Sequence, residues 1–376
     1  MPFTLLSSSA ISGGVGDSLR PDAQSLVFNG NMAISQRGTS FTGKTGVDYY
    51  ACDRWRTFIS SLGTHTITQE DSSNPTGFGK SYKILTTTAN ASPSGTNYLY
   101  LRQSLEGNDV QLLKYGTSDA VKLTAGFWVK SNKTGTFGVE TQCLSGGTSY
   151  ERTEDITINS ADTWEFKTFV VPANTSNAID DGNGQSYNFY FWINAGTDYI
   201  GTPHANWGNQ SNAGRAGTST LGVGESTNDY FQLTGVQFEV GEYTSSTIPP
   251  FQHESYGDNL VRCHRYFLYT GGGSAYQHHG SGVEVSSTAA YMTTPLSCPF
   301  RASPSITANN TSGGIVIYDG NTESAVTSVG TTNYSTNTSI VNVAVNASGG
   351  GIDDGNGITV YSNANSNAGF LFDAEL

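Results

Sequence analysis

The stretch FQLTGVQFEVGEYTSSTIPPFQHESYGDNLVRCHRY, residues 231–266, decides the reading of this chain. It opens as a strand. Phe231, Leu233, Val236, Phe238 and Val240 alternate with Gln232, Thr234, Gln237 and Glu239, apart from one slip at Gly235. Alternation with period two marks a half-buried strand, and a glycine at the slip predicts a bulge. Ile248-Pro249-Pro250-Phe251 then breaks the pattern, because proline cannot donate to a sheet ladder. Residues 258–267 follow as a short helical segment, with Leu260, Cys263 and Phe267 at helical spacing. A β-domain therefore ends in a last strand, leaves by a stiff Pro-Pro segment, and meets a helical joint into something new.

Composition agrees on both sides of that joint. The chain has 376 residues, room for two domains of about 100–200 residues each. Only 13% of residues are charged and 45 are glycine. Strand formers separated by small turn residues make up all-β sandwiches. Before the joint, strands are expected at residues 99–104, 122–130, 135–143, 155–158, 163–171, 187–193 and 230–240. Phe127, Val129, Phe137, Val139, Trp164, Phe166, Phe169, Phe189 and Phe191 read as core, as do Trp55 and Trp128. Residues 194–229 form a long loop with at most a strand fragment, and loops of that length in compact domains are functional or disordered. After the joint, strands are expected at 266–269, 282–291, 306–308, 314–318, 339–345, 358–362 and 369–374, with fewer aromatics and a thinner core.

The joint also carries a resemblance. QLTGVQFEVG and PFQHESYGDNLVRCHRYF are similar to the junction in tailed-phage tail-fibre proteins, where a carbohydrate-binding-like β-sandwich meets a C-terminal β-domain. NGNMAISQRGTSFT at 29–42 and DRWR at 53–56 resemble the opening of that sandwich. LTAGFWVKSNKTGTFGV at 123–139 and DTWEFKTFVVP at 162–172 resemble two of its inner strands. The match runs in order from about residue 29 to about residue 304, and its motifs are structural. The resulting expectation is an all-β chain: a jelly-roll-like β-sandwich followed by a second, smaller β-sandwich domain. Residues 1–27 are an N-terminal arm that docks on another virion protein, 28–251 the sandwich, 252–265 the joint, and 266–376 the C-terminal domain.

Charge excludes other classes. Eighteen basic residues against 31 acidic ones give a net charge of −13, with no basic cluster, so no nucleic-acid partner is expected. No apolar run approaches the ~18–20 residues that span a bilayer, so membrane insertion is not expected either. The N-terminus lacks the basic region of a signal peptide. The resemblance implies a virion-surface protein made in the host bacterial cytoplasm. Cys52, Cys143, Cys263 and Cys298 show no C-x-x-C spacing and read as four separate buried thiols.

No catalytic constellation is found, and the chain is expected not to be an enzyme. Most acids lie in turn contexts, no nucleophile elbow is present, and Gly271-Gly272-Gly273 lacks the helix and lysine of a phosphate loop. One internal echo stands out: Ile179-Asp180-Asp181-Gly182-Asn183-Gly184 recurs at 352–357. Asp180, Asp181 and Asn183 offer oxygen ligands to calcium, while Asp-Gly and Asn-Gly are also strong hairpin-turn signals. No other cofactor is implied.

Carbohydrate binding remains. Aromatic faces stack on sugar rings while amides and imidazoles bond to hydroxyls. Two places offer that mix outside the expected strands. The long loop carries Tyr199, His204, Asn206 and Trp207, where Trp207 either meets a ligand or plugs the sandwich end. After the glycine run come Tyr276, His278 and His279, which either meet a ligand or form a subunit contact. The function expected is a tail fibre binding host-surface glycan. The alternatives are a structural head-fibre or capsid-decoration protein without ligand, and a polysaccharide depolymerase. A homotrimer is implied by the resemblance, and open sheet edges in residues 266–376 give a physical reason for it.

Overall fold

The computed structural model describes residues 25–309, 311–331, 340–347 and 355–376. The N-terminal arm and Asp353–Asp354 of the repeated turn lie outside them, apart from residues 25–27 of the arm. The chain divides into two compact units, one through Ser255 and one from Tyr256.

The strands of the first unit are β1 (Ser40–Lys44), β2 (Asp48–Tyr49), β3 (Arg56–Ser60), β4 (Thr64–Glu70), β5 (Ser81–Thr88) and β6 (Tyr98–Glu106), then β7 (Leu123–Ser131), β8 (Gly135–Ser145), β9 (Thr148–Ile158), β10 (Glu165–Val171), β11 (Gln185–Ala195), β12 (Gly208–Asn209) and β13 (Tyr230–Val240). They form two antiparallel sheets, ordered β1-β4-β5-β13-β7-β10 and β12-β9-β8-β11-β6-β3-β2. The fold is the jelly-roll-like sandwich expected from the strand pattern.

Alternation places the core. On β11, Tyr187, Phe189 and Phe191 point between the sheets, where Phe189 meets Trp55 at 5.7 Å and Phe191 meets Phe127 at 5.1 Å. Phe137 on β8 meets Phe231 on β13 at 5.4 Å, nearly edge-on. Each aromatic buries about 150–250 Å², so this inter-sheet layer dominates the stability of the unit. Gly235 has φ +63°, and the β13–β7 register shifts between Thr234 and Gln237, which is the bulge that the glycine predicts. The Pro-Pro segment does not simply leave. It folds back on the six-stranded sheet, where Gln237 donates to the Pro249 carbonyl, Ile248 lies over Gly126, and Phe251 packs edge-on to Phe78.

Three core expectations change. Trp128 and Phe166 face outward from the six-stranded sheet and are half-buried against each other at 5.3 Å. Trp164 precedes its strand, and its indole donates to the Ser73 carbonyl at 2.7 Å. The pattern around residues 163–171 alternates, but the bulky side chains of its first turn fall on the outer face. Arg54 is buried, donating to the Ser104 carbonyl at 2.6 Å.

The second unit opens with the helix Tyr256–His264, which ends earlier than the 258–267 segment read from the sequence. Its strands are β14 (Phe267–Tyr269), β15 (His278–Ser286), β16 (Ala289–Pro295), β17 (Ser305–Asn309), β18 (Ile315–Tyr318), β19 (Glu323–Thr331), β20 (Ile340–Ala347), β21 (Gly357–Ser362) and β22 (Gly369–Asp373). The smaller sandwich takes the form of a closed barrel, β15-β16-β20-β19-β18-β21, beside a three-stranded sheet, β14-β22-β17. Residues 282–291 are a hairpin rather than one strand, turning at Ser287-Thr288 without glycine or proline to announce it. Cys52, Cys143 and Cys263 are buried, whereas Cys298 is half-exposed.

Candidate carbohydrate-binding face

The outer face of the seven-stranded sheet is unlike an ordinary solvated surface. Alternation on β6 turns Leu99 and Leu101 inward and presents Tyr98, Tyr100 and Arg102 outward. Register then lines them up with neighbours: Tyr100 pairs with Phe58 of β3 and with Trp192 of β11, and Arg102 pairs with Arg56 and Tyr190. The rings meet. Phe58 stacks on Tyr100 at 4.6 Å and 19°, Trp192 lies 4.6 Å from Tyr100, and Tyr98 lies 5.2 Å from it. Arg102 and Arg56 both sit over the Phe58 ring, at 4.7 and 5.0 Å. Phe58, Tyr98, Tyr100, Arg56 and Arg102 are half-buried, so the platform is partly open to solvent. Burial raises the Tyr100 phenol, with Tyr190 and Tyr98 adding to the effect, so it is a neutral donor at any physiological pH.

The other half of the same face is closed by the long loop. Ala216 lies on Gly138, where a Cβ would come within 2.5 Å of the loop backbone. Arg215 reaches down from the loop over Trp192 and Tyr190 at 5.1 and 5.4 Å. Its Nε donates to Glu140 at 3.1 Å and stands 3.4 Å from Oε2 of Glu151. The Trp192 indole donates to Glu140 Oε2 at 2.8 Å, and His204 Nδ1 stands 3.0 Å from Glu151 Oε1. Glu140 and Glu151 are wholly buried. Burial first, and the Glu140 carboxylate second, push Glu151 well above the usual carboxylate range. Beside them, Asn188 and the Tyr190 hydroxyl both donate to Gln142 Oε1. The result is a buried polar knot that pins the loop, with both carboxyl groups shut from solvent and Oε2 of Glu151 left without a hydrogen bond.

The structure does not gather the loop residues singled out from sequence at one point. Tyr199 joins the platform, its ring 5.3 Å from Trp192 and 5.7 Å from Tyr98. His204 is engaged by Glu151 on the same face. The chain then crosses the sheet edge at β9. Asn206 is exposed, while Trp207 donates to the Pro172 carbonyl at 2.7 Å and packs on Tyr115 at 5.6 Å, plugging the sandwich end. Tyr276, His278 and His279 are not a cluster either. Alternation along β15 exposes His278 and turns His279 into the barrel, edge-on to Phe370 at 5.4 Å. Tyr276 is 65% exposed.

Asp180, Asp181 and Asn183 are exposed. The Asp180 carboxylate accepts the Gly146 N–H at 2.9 Å, and the turn is latched to Gly107 and Asn108 through the Gly184 and Gly182 carbonyls. Among the described residues, no three His, Cys, Asp or Glu side chains come together to hold a metal.

Sequence reasoning missed Phe58, Tyr98, Tyr100, Arg56 and Arg102. A signal was there: in NYLYLRQ the outward positions of an alternating strand are two tyrosines and an arginine rather than small polar residues.

No protein-family model matches the chain, and no curated protein matches it. Solved structures do. The enzymatically active domain of bacteriophage CBA120 tailspike protein 4 is 13% identical with a TM-score of 0.29, covering 57% of this chain and 21% of that one. The CBM22-1-GH10 modules of Clostridium thermocellum xylanase 10B, complexed with xylohexaose, are 14% identical with a TM-score of 0.29, covering 55% and 30%. A family 11 carbohydrate-binding module from Clostridium thermocellum, in complex with a β-1,3-1,4-mixed-linked tetrasaccharide, is 11% identical with a TM-score of 0.26, covering 57% and 99%. This chain thus spans less than a third of the first two, and no residue role passes from any of them to it.

Proposed function

We propose that the first unit binds carbohydrate on the outer face of its seven-stranded sheet, without cleaving it. The observation that carries this is the Phe58–Tyr100–Trp192 row with Tyr98 beside it, half of it open to solvent. A partly exposed aromatic row costs solvation and is kept where a partner covers it. Sugar rings suit it: their C–H faces lie on aromatic faces, and the Tyr98 and Tyr100 hydroxyls and the Arg102 guanidinium reach ring hydroxyls. The Glu140–Glu151 pair is the carboxylate pair a glycosidase reading needs, but both groups are committed to Arg215, Trp192 and His204 and are shut from solvent. The pair serves as the anchor of the loop.

The resemblance at residues 231–266 extends the proposal to a virion-surface fibre of a tailed phage, made in the host cytoplasm and trimeric, with this face turned to host-surface glycan and the N-terminal arm on another virion protein. A calcium ion at Asp180 stays a secondary proposal. The test is a glycan array probed with the whole protein, followed by a reducing-end assay on every glycan retained. Retention without release of reducing ends is the expected result. Release of reducing ends refutes the non-enzymatic reading. Light scattering on the whole chain tests the trimer, and a monomer refutes it.

A further inference from the structure

We infer that the platform takes an anionic saccharide, one whose carboxylate or sulfate is held by Arg56; this rests on the carbohydrate-binding reading above. The two halves of the sheet face differ in charge. Toward β8 and β9, the buried carboxyls of Glu140 and Glu151 face Arg215 and His204 from the loop. Toward β3 and β6, Arg56 and Arg102 stand beside the aromatic rings. Arg56 forms no ion pair among the described residues. Its guanidinium lies over Tyr49 at 5.3 Å and Phe58 at 5.0 Å, and its Nε has no hydrogen-bond partner. The neighbouring acid does not reach it. Asp48 pairs with Thr57, so it belongs to the opposite face of β3, and its Oδ1 accepts the Tyr49 N–H.

Stacking on two rings fixes the plane of the Arg56 fork, and a fixed guanidinium edge matches the two oxygens of a carboxylate or sulfate. Arg102 lies over the same Phe58 ring, so two like charges share one aromatic neighbour, and a bound anion relieves their repulsion. The net charge of −13 does not oppose this. At physiological ionic strength, charges more than about 8 Å away are largely screened, while the contact itself is not.

The experiment compares the whole protein with R56Q, R56K and Y100A on an array of uronate-, sialate- and sulfate-bearing saccharides beside their neutral counterparts. Retention is expected on acidic members, weakened about tenfold or more in R56Q, partly restored in R56K, and lost in Y100A, as the loss of a charge-assisted bond predicts. The carboxylate and sulfate members tell the two anions apart. Equal retention of neutral members with R56Q unchanged and Y100A lost overturns the anionic inference and leaves the platform reading standing. Retention of no member of either set overturns both. Circular dichroism of each variant separates lost binding from lost fold.

Discussion

The indole of Trp192 donates to Glu140 Oε2 at 2.8 Å, and the same carboxylate receives Arg215 from a loop 75 residues later in the chain. One buried carboxyl group thus ties an outward aromatic of the seven-stranded sheet to the loop that covers it. Removing one partner of a buried charge pair leaves the other uncompensated, at about 3–5 kcal/mol. Glu140→Ala is therefore expected to lower the unfolding free energy of the first unit, measured by urea denaturation, by an amount in that range. Glu140→Gln, which keeps an acceptor, should lose less. Equal losses in the two variants contradict the account.

Glu151 sets a pH dependence. Its folded value is raised above the ordinary 4.5, by burial first and by Glu140 second. The folded state then holds the proton more tightly than the unfolded chain. Its contribution to stability is complete below about pH 4.5 and falls as pH rises toward the folded value. Urea midpoints at pH 5 and pH 8 are expected to differ more in the parent than in Glu151→Gln. Parallel changes in both proteins exclude Glu151 as the source.

His279 acts in the opposite direction in the second unit. Burial, then His278, lowers it from 6.5 to about 4. The unfolded chain takes up the proton first, so stability is complete above pH 6.5 and is lost as pH falls through about 4. His279→Leu should flatten the acid limb of barrel unfolding, monitored by hydrogen exchange of β15 and β16. An unchanged acid limb would falsify the role of this residue.

Gly235 is needed at the bulge. Its φ is +63°, and a Cβ there would come within 2.7 Å of the Phe78 ring and 3.1 Å of Trp128. Gly235→Ala combines backbone strain with overpacking, at roughly 1–3 kcal/mol each. Thermal unfolding of the first unit should shift downward by several degrees. A shift within error would mean that the strand rearranges around the added methyl.

Much of the fold was legible because strands buried on one side declare themselves by alternation. β13 runs from Tyr230 to Val240 as its pattern predicts, and Gly235 marks the slip. The early strands were harder. THTITQE of β4 buries only His65 and Ile67, so its threonines read as turn material. β19 is similarly rich in small residues. The site was less legible for a different reason. Alternation tells which residues face away from the core, but not which of those a distant loop will cover. Tyr190 and Trp192 are outward on β11 yet buried, because Arg215 and Ala216 return from the following loop to lie on them. Tyr98 and Tyr100 stay open only because the loop stops short. Trp207 drew attention as an isolated aromatic in a polar loop, but its packing on Tyr115 is set by tertiary contact that spacing does not encode.

The central claim is that sugar lies on the Phe58–Tyr100 platform and not at Trp207 or at the Tyr276–His278 tip. It is tested most directly by measuring glycan retention for Tyr100→Ala, Trp207→Ala and Tyr276→Ala side by side, each checked for native circular dichroism. The account predicts that Tyr100→Ala abolishes retention while Trp207→Ala and Tyr276→Ala, where folded, keep it within about twofold, a difference worth less than 0.5 kcal/mol. Retention that survives Tyr100→Ala and disappears in either of the other two contradicts it.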